Sequence, residues 1–272
     1  MNPPQTQGSY SGGYDLALLL GLAQRQVGRE AAFLVPHLQP GMRVLDCGCG
    51  PGGISLGLAR LVAPGSVIGV DVHSDQLDIG RLKACLEGID NVEFQAASIY
   101  ALPFADESFD AALVHAVLYH LDRPAQALTE LRRVLKPGGL IGARDTDLDG
   151  DLYYPSHPQV DRFWKLVERV HAHHGGDIRL GRKHRKLFRE AGFERLVATA
   201  SCDTCGTPET TDAFSRYWSE GFLEQHRALI LEQQWCENED LEAMRAGLSD
   251  WGSSPDAFYS RCRCELVGWK PL

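Results

Sequence analysis

The sequence predicts an α/β fold: a three-layer sandwich with a mostly parallel seven-stranded sheet and a helical insertion before the last strand. Three observations support this prediction. Short apolar segments alternate with amphipathic helical segments over residues 42–145, and turns rich in glycine and proline separate them. A glycine-rich turn directly follows the first apolar segment. Alternation of this kind predicts parallel strands that are joined by helices covering both faces of the sheet.

The elements of the first half follow from periodicity and from their breakers. Residues 14–38 carry apolar side chains at helical spacing until Pro40 and Gly41 end the pattern. Pro64 with Gly65, and Pro137 with the two following glycines, mark later turns. The predicted strands lie at 42–45, 66–72, 92–96, 109–114 and 140–144, and the predicted helices at 54–62, 76–87 and 125–135.

The second half is less regular, but it also shows helical and strand-like periods. No stretch rich in glycine, proline or serine divides it from the first half, so the chain is predicted to form a single domain. The segment near 203–255 is the predicted helical insertion. The predicted helices lie at 160–173, 182–191, 211–234 and 239–248, and the predicted strands at 193–200 and 258–267.

Composition excludes several classes of protein. Of the 272 residues, 44% are hydrophobic and 23% are charged, which is typical of a globular protein. The net charge of −9 argues against binding nucleic acid through phosphates. The first ten residues have neither a basic region nor an apolar core, so no signal peptide is expected. The eight cysteines are therefore expected to be thiols in a cytoplasmic protein.

The glycine-rich turn is the first candidate for a binding site. Gly48, Gly50 and Gly53 form a G-x-G-x-x-G pattern between a strand and a helix, where glycine lets the backbone approach a ligand closely. Asp46 precedes the turn, and a carboxylate there suits a positively charged ligand group such as an ammonium better than a pyrophosphate. Asp71 ends the next strand, where an acid can accept hydrogen bonds from both hydroxyls of a ribose.

These segments resemble the class I S-adenosylmethionine-dependent methyltransferases, which have a Rossmann-like fold. The resemblance covers residues 42–145 and rests on four motifs in order: VLDCGCGPGG, VIGVDVHSDQL, ALPFADESFDAALVHAVLYHLDRP and LRRVLKPGGL. The last two are similar to the small-molecule branch, which includes quinone-biosynthesis C-methyltransferases and sugar O-methyltransferases. The resemblance implies S-adenosylmethionine as cofactor, with residues 1–40 as a helical cap, 41–147 as the cofactor-binding core and 148–272 on the substrate side.

The resemblance also implies a set of residues around the cofactor. Ser98 stands where the family commonly has an acid that binds adenine, and the alternative is a plain turn residue. Tyr10 and Tyr14 are candidate lid residues, or else they pack loosely as an aromatic N-terminal segment. Cys49 is expected to fill space between two glycines. The complete implied set is Asp46, Gly48, Cys49, Gly50, Asp71, Val72, Gln76, Ser98, Ile99, His115, Tyr10 and Tyr14.

Methyl transfer to a hydroxyl requires removal of a proton, and histidine is the simplest base near neutral pH. His120 follows the fourth strand, at a place where sugar O-methyltransferases often have a histidine. Asp145 ends the neighbouring strand and is predicted to orient His120. The alternative is that His120 packs structurally against the turn at 122–124.

The acceptor is expected to bind to the variable parts of the chain. Tyr119, Tyr153, Tyr154 and Trp218 are candidates for a pocket that takes a small, partly hydrophobic organic molecule. The alternative is that most of these aromatic side chains form the core of the helical cover. O-methylation is the leading prediction, with C- or N-methylation, non-methylating catalysis or a regulatory role as alternatives. The sequence leaves the oligomeric state open.

No metal is expected. Two cysteine pairs, at 202 and 205 and at 262 and 264, provide four thiols that could hold zinc if the last two strands pair. The C-x-C spacing is unusual for such a site, and nothing in the predicted fold requires a metal. Ordinary cysteines in strands are therefore the preferred interpretation.

Overall fold

The computed structural model describes residues 21–272. The eight strands are β1 (Arg43–Cys47), β2 (Ser66–Asp71), β3 (Val92–Ala96), β4 (Phe109–His115), β5 (Leu135–Thr146), β6 (Leu152–Tyr154), β7 (Glu194–Cys205) and β8 (Phe258–Trp269). The described α-helices are α1 (Val27–Glu30), α2 (Gly53–Val62), α3 (Ser74–Glu87), α4 (Pro124–Val134), α5 (Pro158–His173), α6 (His184–Glu190), α7 (Pro208–Arg216), α8 (Leu223–Glu232) and α9 (Asn238–Gly252).

All eight strands belong to one sheet, in the order β3-β2-β1-β4-β5-β8-β6, with β7 paired to β8. Neighbours from β3 to β5 are parallel, whereas β8 runs antiparallel to β5, β6 and β7. The predicted α/β sandwich with a mostly parallel sheet is therefore confirmed. The predicted number of seven strands is one too low, because the short strand β6 pairs with the start of β8.

Other predicted elements also have different bounds in the structure, including β5, which begins at Leu135 and so contains Pro137. Within the described part of the predicted helix at 14–38, residues 21–23 and α1 are α-helical with a break between them, and a 3-10 turn at Val35–His37 follows. Pro36 lies in that turn, and it has no amide hydrogen that could be donated to a helical hydrogen bond. Strand β7 extends to Cys205 because it pairs with β8 along almost its whole length. The predicted helix at 211–234 contains a π-helical segment at Tyr217–Phe222 between α7 and α8.

The central strands hold the site rigidly because helices bury both of their faces. Leu45, Ala112 and Val114 lie in a fully buried cluster with residues of α4 and α6. Val44, Ala111 and Leu113 point to the opposite face and pack on α2. Burial on both sides fixes the strand ends, where open α/β sheets place their ligands. Within residues 21–272, no helix is both long and apolar enough to cross a bilayer.

The predicted helical insertion is present between β7 and β8. It comprises α7, the π-helical segment, α8 and α9. Together with α5 it encloses a separate aromatic cluster, in which Phe163, Trp218, Phe222 and Trp251 are buried. This cluster is an apolar core of its own, distinct from the clusters that cover the two faces of the central strands.

Candidate functional site

A cavity opens at the carboxyl ends of β1, β2 and β4. The empty space inside it, counted with its open mouth, is about 1030 Å³. Ten of the predicted site residues lie in its wall, nine from the cofactor set together with His120, and so do Leu22 and Arg25 from the segment before α1. The ten are Asp46, Gly48, Cys49, Gly50, Asp71, Val72, Gln76, Ile99, His115 and His120.

The glycine-rich turn brings backbone to the cavity because its conformation requires glycine. Gly48 has a φ of +80°, and its amide donates to the carbonyl of Val70 at 2.7 Å. A Cβ at this position would lie 2.3 Å from Cγ2 of Val117. A side chain is therefore excluded on both conformational and steric grounds.

Two carboxylates face the cavity from adjacent strands. Asp71 accepts the amide of Gly50 at 2.9 Å and that of His73 at 3.1 Å, so its orientation is fixed. Asp46 is buried and accepts the hydroxyl of Ser55 at 2.5 Å. Burial raises the pKa of Asp46 to about 6, although the Ser55 hydrogen bond acts in the opposite direction. A cationic group bound beside Asp46 would stabilise its ionised form.

His115, at the end of β4, lies between two guanidinium groups. Arg25 Nη1 is 3.4 Å from Nδ1 of the ring, and Arg144 Nη1 is 3.1 Å from Nε2. Burial first, and then Arg25, Arg263 and Arg144, hold the pKa of His115 well below its usual value. The ring is therefore neutral at pH 7, and its single acceptor nitrogen can accept from only one of the two arginines.

His120 lies in a 3-10 turn after β4 and reaches the cavity wall. Its ring lies against Tyr119, with centroids 3.8 Å apart, and stacks near His171 at 5.5 Å. Burial, followed by the charges of His171, Arg25 and Arg263, lowers its pKa well below the usual value. His120 is therefore in the neutral form that can accept a proton, but its protonated form is strongly disfavoured in the ligand-free protein.

Asp145 bonds to both the loop after β4 and helix α6. Its Oδ2 lies 2.9 Å from Nε2 of His184, and its Oδ1 accepts the amide of Val117 at 3.0 Å. Both Asp145 and His184 are buried. Asp145 thus ties the loop after β4 to α6, and Val117 of that loop packs against Gly48. Its Oδ1 also lies 3.5 Å from the amide of Tyr119, in the turn that carries His120, and the orientation of His120 by Asp145 stays a prediction.

Among the other residues implied for the cofactor, Cys49 faces the cavity as a neutral thiol, because burial and then Asp46 raise its pKa. Ser98 lies in a turn, where its hydroxyl accepts the amide of Tyr100 at 3.2 Å. Its neighbours Ala97 and Ile99 form the cavity wall instead. Ser98 thus fits the alternative of a turn residue. Tyr10 and Tyr14 lie outside the described residues.

The structure does not bring the predicted acceptor residues together. Tyr119 adjoins His120, but Trp218 is buried in the aromatic cluster of the insertion. Tyr153 donates its hydroxyl to Asp161, and the side chain of Tyr154 on β6 is largely exposed. Trp218 therefore follows the alternative of a core residue, and neither Tyr153 nor Tyr154 lines the described cavity.

The four cysteines considered for zinc lie on β7 and β8. Cys202 is the register partner of Cys262, while Cys205 pairs with Tyr259 and Cys264 with Ala200. All four are free thiols. Across residues 21–272, no three or more histidine, cysteine or acidic side chains form a group that could hold a metal ion.

Sequence reasoning missed the arginines beside the histidines. Arg25 lies in a segment without a motif, and Arg144 and Arg263 are single charges within otherwise strand-like runs. The alternation of β8 was a usable signal, because it places Arg261, Arg263 and Glu265 on one face. Three charged residues on one face of a strand inside a sheet indicate a buried ionic network.

Comparison with known proteins agrees with this geometry. The family profile described as "Methyltransferase domain" matches residues 38–192, more than half of the chain. A probable methyltransferase, ltbC, of Aspergillus luteorubrus is 30% identical over 289 aligned positions, covering 96% of this chain and 97% of that protein. The uncharacterized methyltransferase C1B3.06c of Schizosaccharomyces pombe is 33% identical over 237 positions, covering 84% and 85%.

Among solved structures, the cyclase SpnF has a TM-score of 0.51 and 25% identity, covering 98% of this chain and 87% of that one. Fold and cavity together define an α/β enzyme with a nucleoside-containing cofactor. The chain belongs to the class I S-adenosylmethionine-dependent methyltransferases. Its cofactor is S-adenosylmethionine, and the glycine cradle and the carboxylates at 46 and 71 fit that molecule.

Proposed function

We propose that this enzyme methylates an oxygen atom of a small organic molecule, with His120 as the group that accepts the hydroxyl proton. One observation carries the proposal. Asp46 and Asp71 lie in the wall of the same cavity as His115 and His120. One part of the cavity therefore has groups for an amino acid and a ribose, and another part has two neutral imidazoles.

In this proposal Asp71 accepts the ribose hydroxyls, and Asp46 faces the ammonium. The backbone of Gly48 and Gly50 lies along the methionine portion, while Val72, Gln76 and Ile99 border the adenosine. S-adenosylmethionine supplies a methyl group that its sulfonium has already activated. The protein then has to align the acceptor, exclude water and remove one proton. A cytoplasmic location remains a prediction from the sequence.

The role of His120 has a signature in the pH dependence. Because its pKa is lowered by burial and by nearby cations, His120 stays neutral as the pH falls from 8 to 6. We expect kcat/KM to be flat across this range, whereas an ordinary histidine base would lose activity below about pH 6.5. A histidine that acts only in packing would also leave the profile flat, so the pH profile separates a base of lowered pKa from an ordinary histidine base, and substitution of His120 tests the role itself.

The first test is calorimetric titration with S-adenosylmethionine, S-adenosylhomocysteine and, as a control, NAD. Binding of the sulfur ligands without NAD supports the cofactor residues proposed here. Turnover is then followed as S-adenosylhomocysteine released with a panel of hydroxylated acceptors. His120→Asn is expected to lower kcat by about 100-fold or more, and His173→Asn, at an exposed position at the end of α5, is the matched control. Unchanged turnover in His120→Asn would disprove the base.

Acceptor carbon or nitrogen and non-methylating catalysis are the alternatives. The likeness to the cyclase SpnF is the specific observation for a reaction without methyl transfer. Product analysis separates these cases, since only a methyltransferase releases S-adenosylhomocysteine in step with product. Binding without turnover on any acceptor would favour a regulatory role and would contradict the proposal.

A further inference from the structure

One buried and two largely buried arginines line the sheet next to His115, in a chain whose net charge is −9. Arg144 on β5 is 2% exposed, and Arg263 and Arg261 on β8 are 12% and 15% exposed. Arg25 approaches His115 from the segment before α1. We call these four residues the arginine face. Arginine is rarely buried unless a partner or a ligand compensates its charge.

The register of the strands places the sheet residues of this set on one side. His115 is the partner of Arg144, and Arg144 is the partner of Glu265. Arg261 and Arg263 precede Glu265 at intervals of two, so their side chains leave the same face. Arg25 lies in the cavity wall with His115 and His120, and Arg144 adjoins that wall through its contact with His115 at 3.1 Å.

The two central arginines differ in how their donors are used. Arg144 bonds to Glu265, His115, Ser201 and Asp203, so all three of its nitrogens are engaged. Arg263 donates from Nε to Asp203 at 2.7 Å. Within residues 21–272, no hydrogen-bond acceptor is found for its two terminal nitrogens. A guanidinium with a paired Nε and two spare terminal donors suits an oxyanion.

The charges of this region also favour an anion. Three carboxylates, those of Asp151, Asp203 and Glu265, face the four guanidinium groups, and Arg29 approaches Asp203 from the exposed side at 3.6 Å. Burial and then the charge of Arg261 lower the pKa of Arg263. The charged form of Arg263 is therefore disfavoured in the ligand-free protein, and a bound anion would stabilise it.

We propose that the acceptor is an organic acid whose carboxylate binds the terminal nitrogens of Arg263, with Arg25 as a second cation. This inference rests on the proposed function, since it places the acceptor beside His115 and His120. The same cations depress the basicity of His120 in the ligand-free protein. A carboxylate that neutralises them makes His120 a stronger proton acceptor once the acceptor is bound. The negative charge of the acceptor therefore increases the basicity of His120.

The test compares an anion with a neutral molecule of the same shape. The full-length protein is first saturated with S-adenosylhomocysteine, and benzoate and benzamide are then titrated by calorimetry. We expect benzoate to bind at least tenfold more tightly than benzamide. Arg263→Gln and, separately, Arg25→Gln are expected to reduce this preference to about twofold or less. Arg162→Gln, in an exposed ion pair with Asp240, is the control and keeps the preference.

Each outcome of this test decides a different point. Failure of S-adenosylhomocysteine to bind would contradict the proposed function itself. Normal binding of it together with equal binding of benzoate and benzamide would overturn only the organic-acid inference. Phenyl phosphate binding more tightly than benzoate would assign the arginines to a phosphate and would also overturn it. The comparison in the unmodified protein needs no variant, so it stands even if Arg263→Gln does not fold.

A second arm uses turnover. With 4-hydroxybenzoate and its methyl ester offered at equal concentration, release of S-adenosylhomocysteine is expected to favour the acid at least tenfold in kcat/KM. The substitution Arg263→Gln should remove this selectivity mainly through KM, because the arginine binds the acceptor without taking part in proton transfer. An ester that reacts as well as the acid would contradict the inference.

Discussion

Two walls of the molecule are built in different ways: the wall of the cavity, and a wall of charged side chains on the neighbouring strands β5, β7 and β8. The wall formed by β1, β2 and the glycine turn presents backbone and two carboxylates, and its shape depends on local conformation at Gly48 and Gly50. The wall toward β5, β7 and β8 presents long charged side chains held by one another. A local turn can be reused for one cofactor across many proteins, whereas a side-chain network can be altered for each acceptor.

The largest effect is expected where the two walls meet, at Asp145. Asp145→Ala removes the acceptor for the Val117 amide and for His184, leaving two buried donors without partners. We expect the free energy of unfolding to fall by about 3 kcal/mol, measured by urea denaturation.

Asp145→Asn is the matched control, since its amide oxygen still accepts the Val117 amide. Its loss should be clearly smaller than that of alanine. If both variants were as stable as the unmodified protein, Asp145 would not link the walls. If Asp145→Ala lowered kcat without loss of stability, a direct role in catalysis would replace the positioning role assigned here.

A second prediction tests whether the cavity wall at the glycine-rich turn depends on backbone conformation. Gly48→Ala places a Cβ 2.3 Å from Val117 at a φ of +80°. We expect affinity for S-adenosylhomocysteine to fall by about 100-fold, because the turn must shift away from the ligand. Gly88→Ala is the control: its φ is +65°, and nothing lies within 4 Å of the added Cβ. It should cost about 1 kcal/mol of stability and leave binding unchanged.

The smallest effect concerns the charge of Asp46. Its pKa of about 6 in the ligand-free protein means that it is mostly protonated at pH 5 and mostly ionised at pH 7.5. A bound ammonium needs the ionised form, so S-adenosylhomocysteine should bind about tenfold more weakly at pH 5 than at pH 7.5. Asp46→Asn should abolish this pH dependence. A dependence that persists in Asp46→Asn would assign it to another group.

The same contrast explains what could be predicted from the sequence. Gly48, Asp46 and Asp71 were predictable because a strand, a turn and a helix adjacent in sequence determine their positions. The partner of Asp145 was not predictable, since His184 comes from a helix 39 residues further along the chain. Trp218 was misplaced for a related reason: aromatic residues at helical spacing fit a ligand pocket and a helical core equally well.

Strand β8 has a consequence for how the enzyme is made. It contacts β5, β6 and β7, and the pair between Arg144 and Glu265 joins residues 121 positions apart. The ribosome therefore releases the cofactor-binding half long before the strand that completes the acceptor wall. Until then β5 has an unpaired edge, and Arg144 on it lacks its partner Glu265. A nascent chain is thus able to form its cofactor turn early, while recognition of the acceptor waits for the last strand.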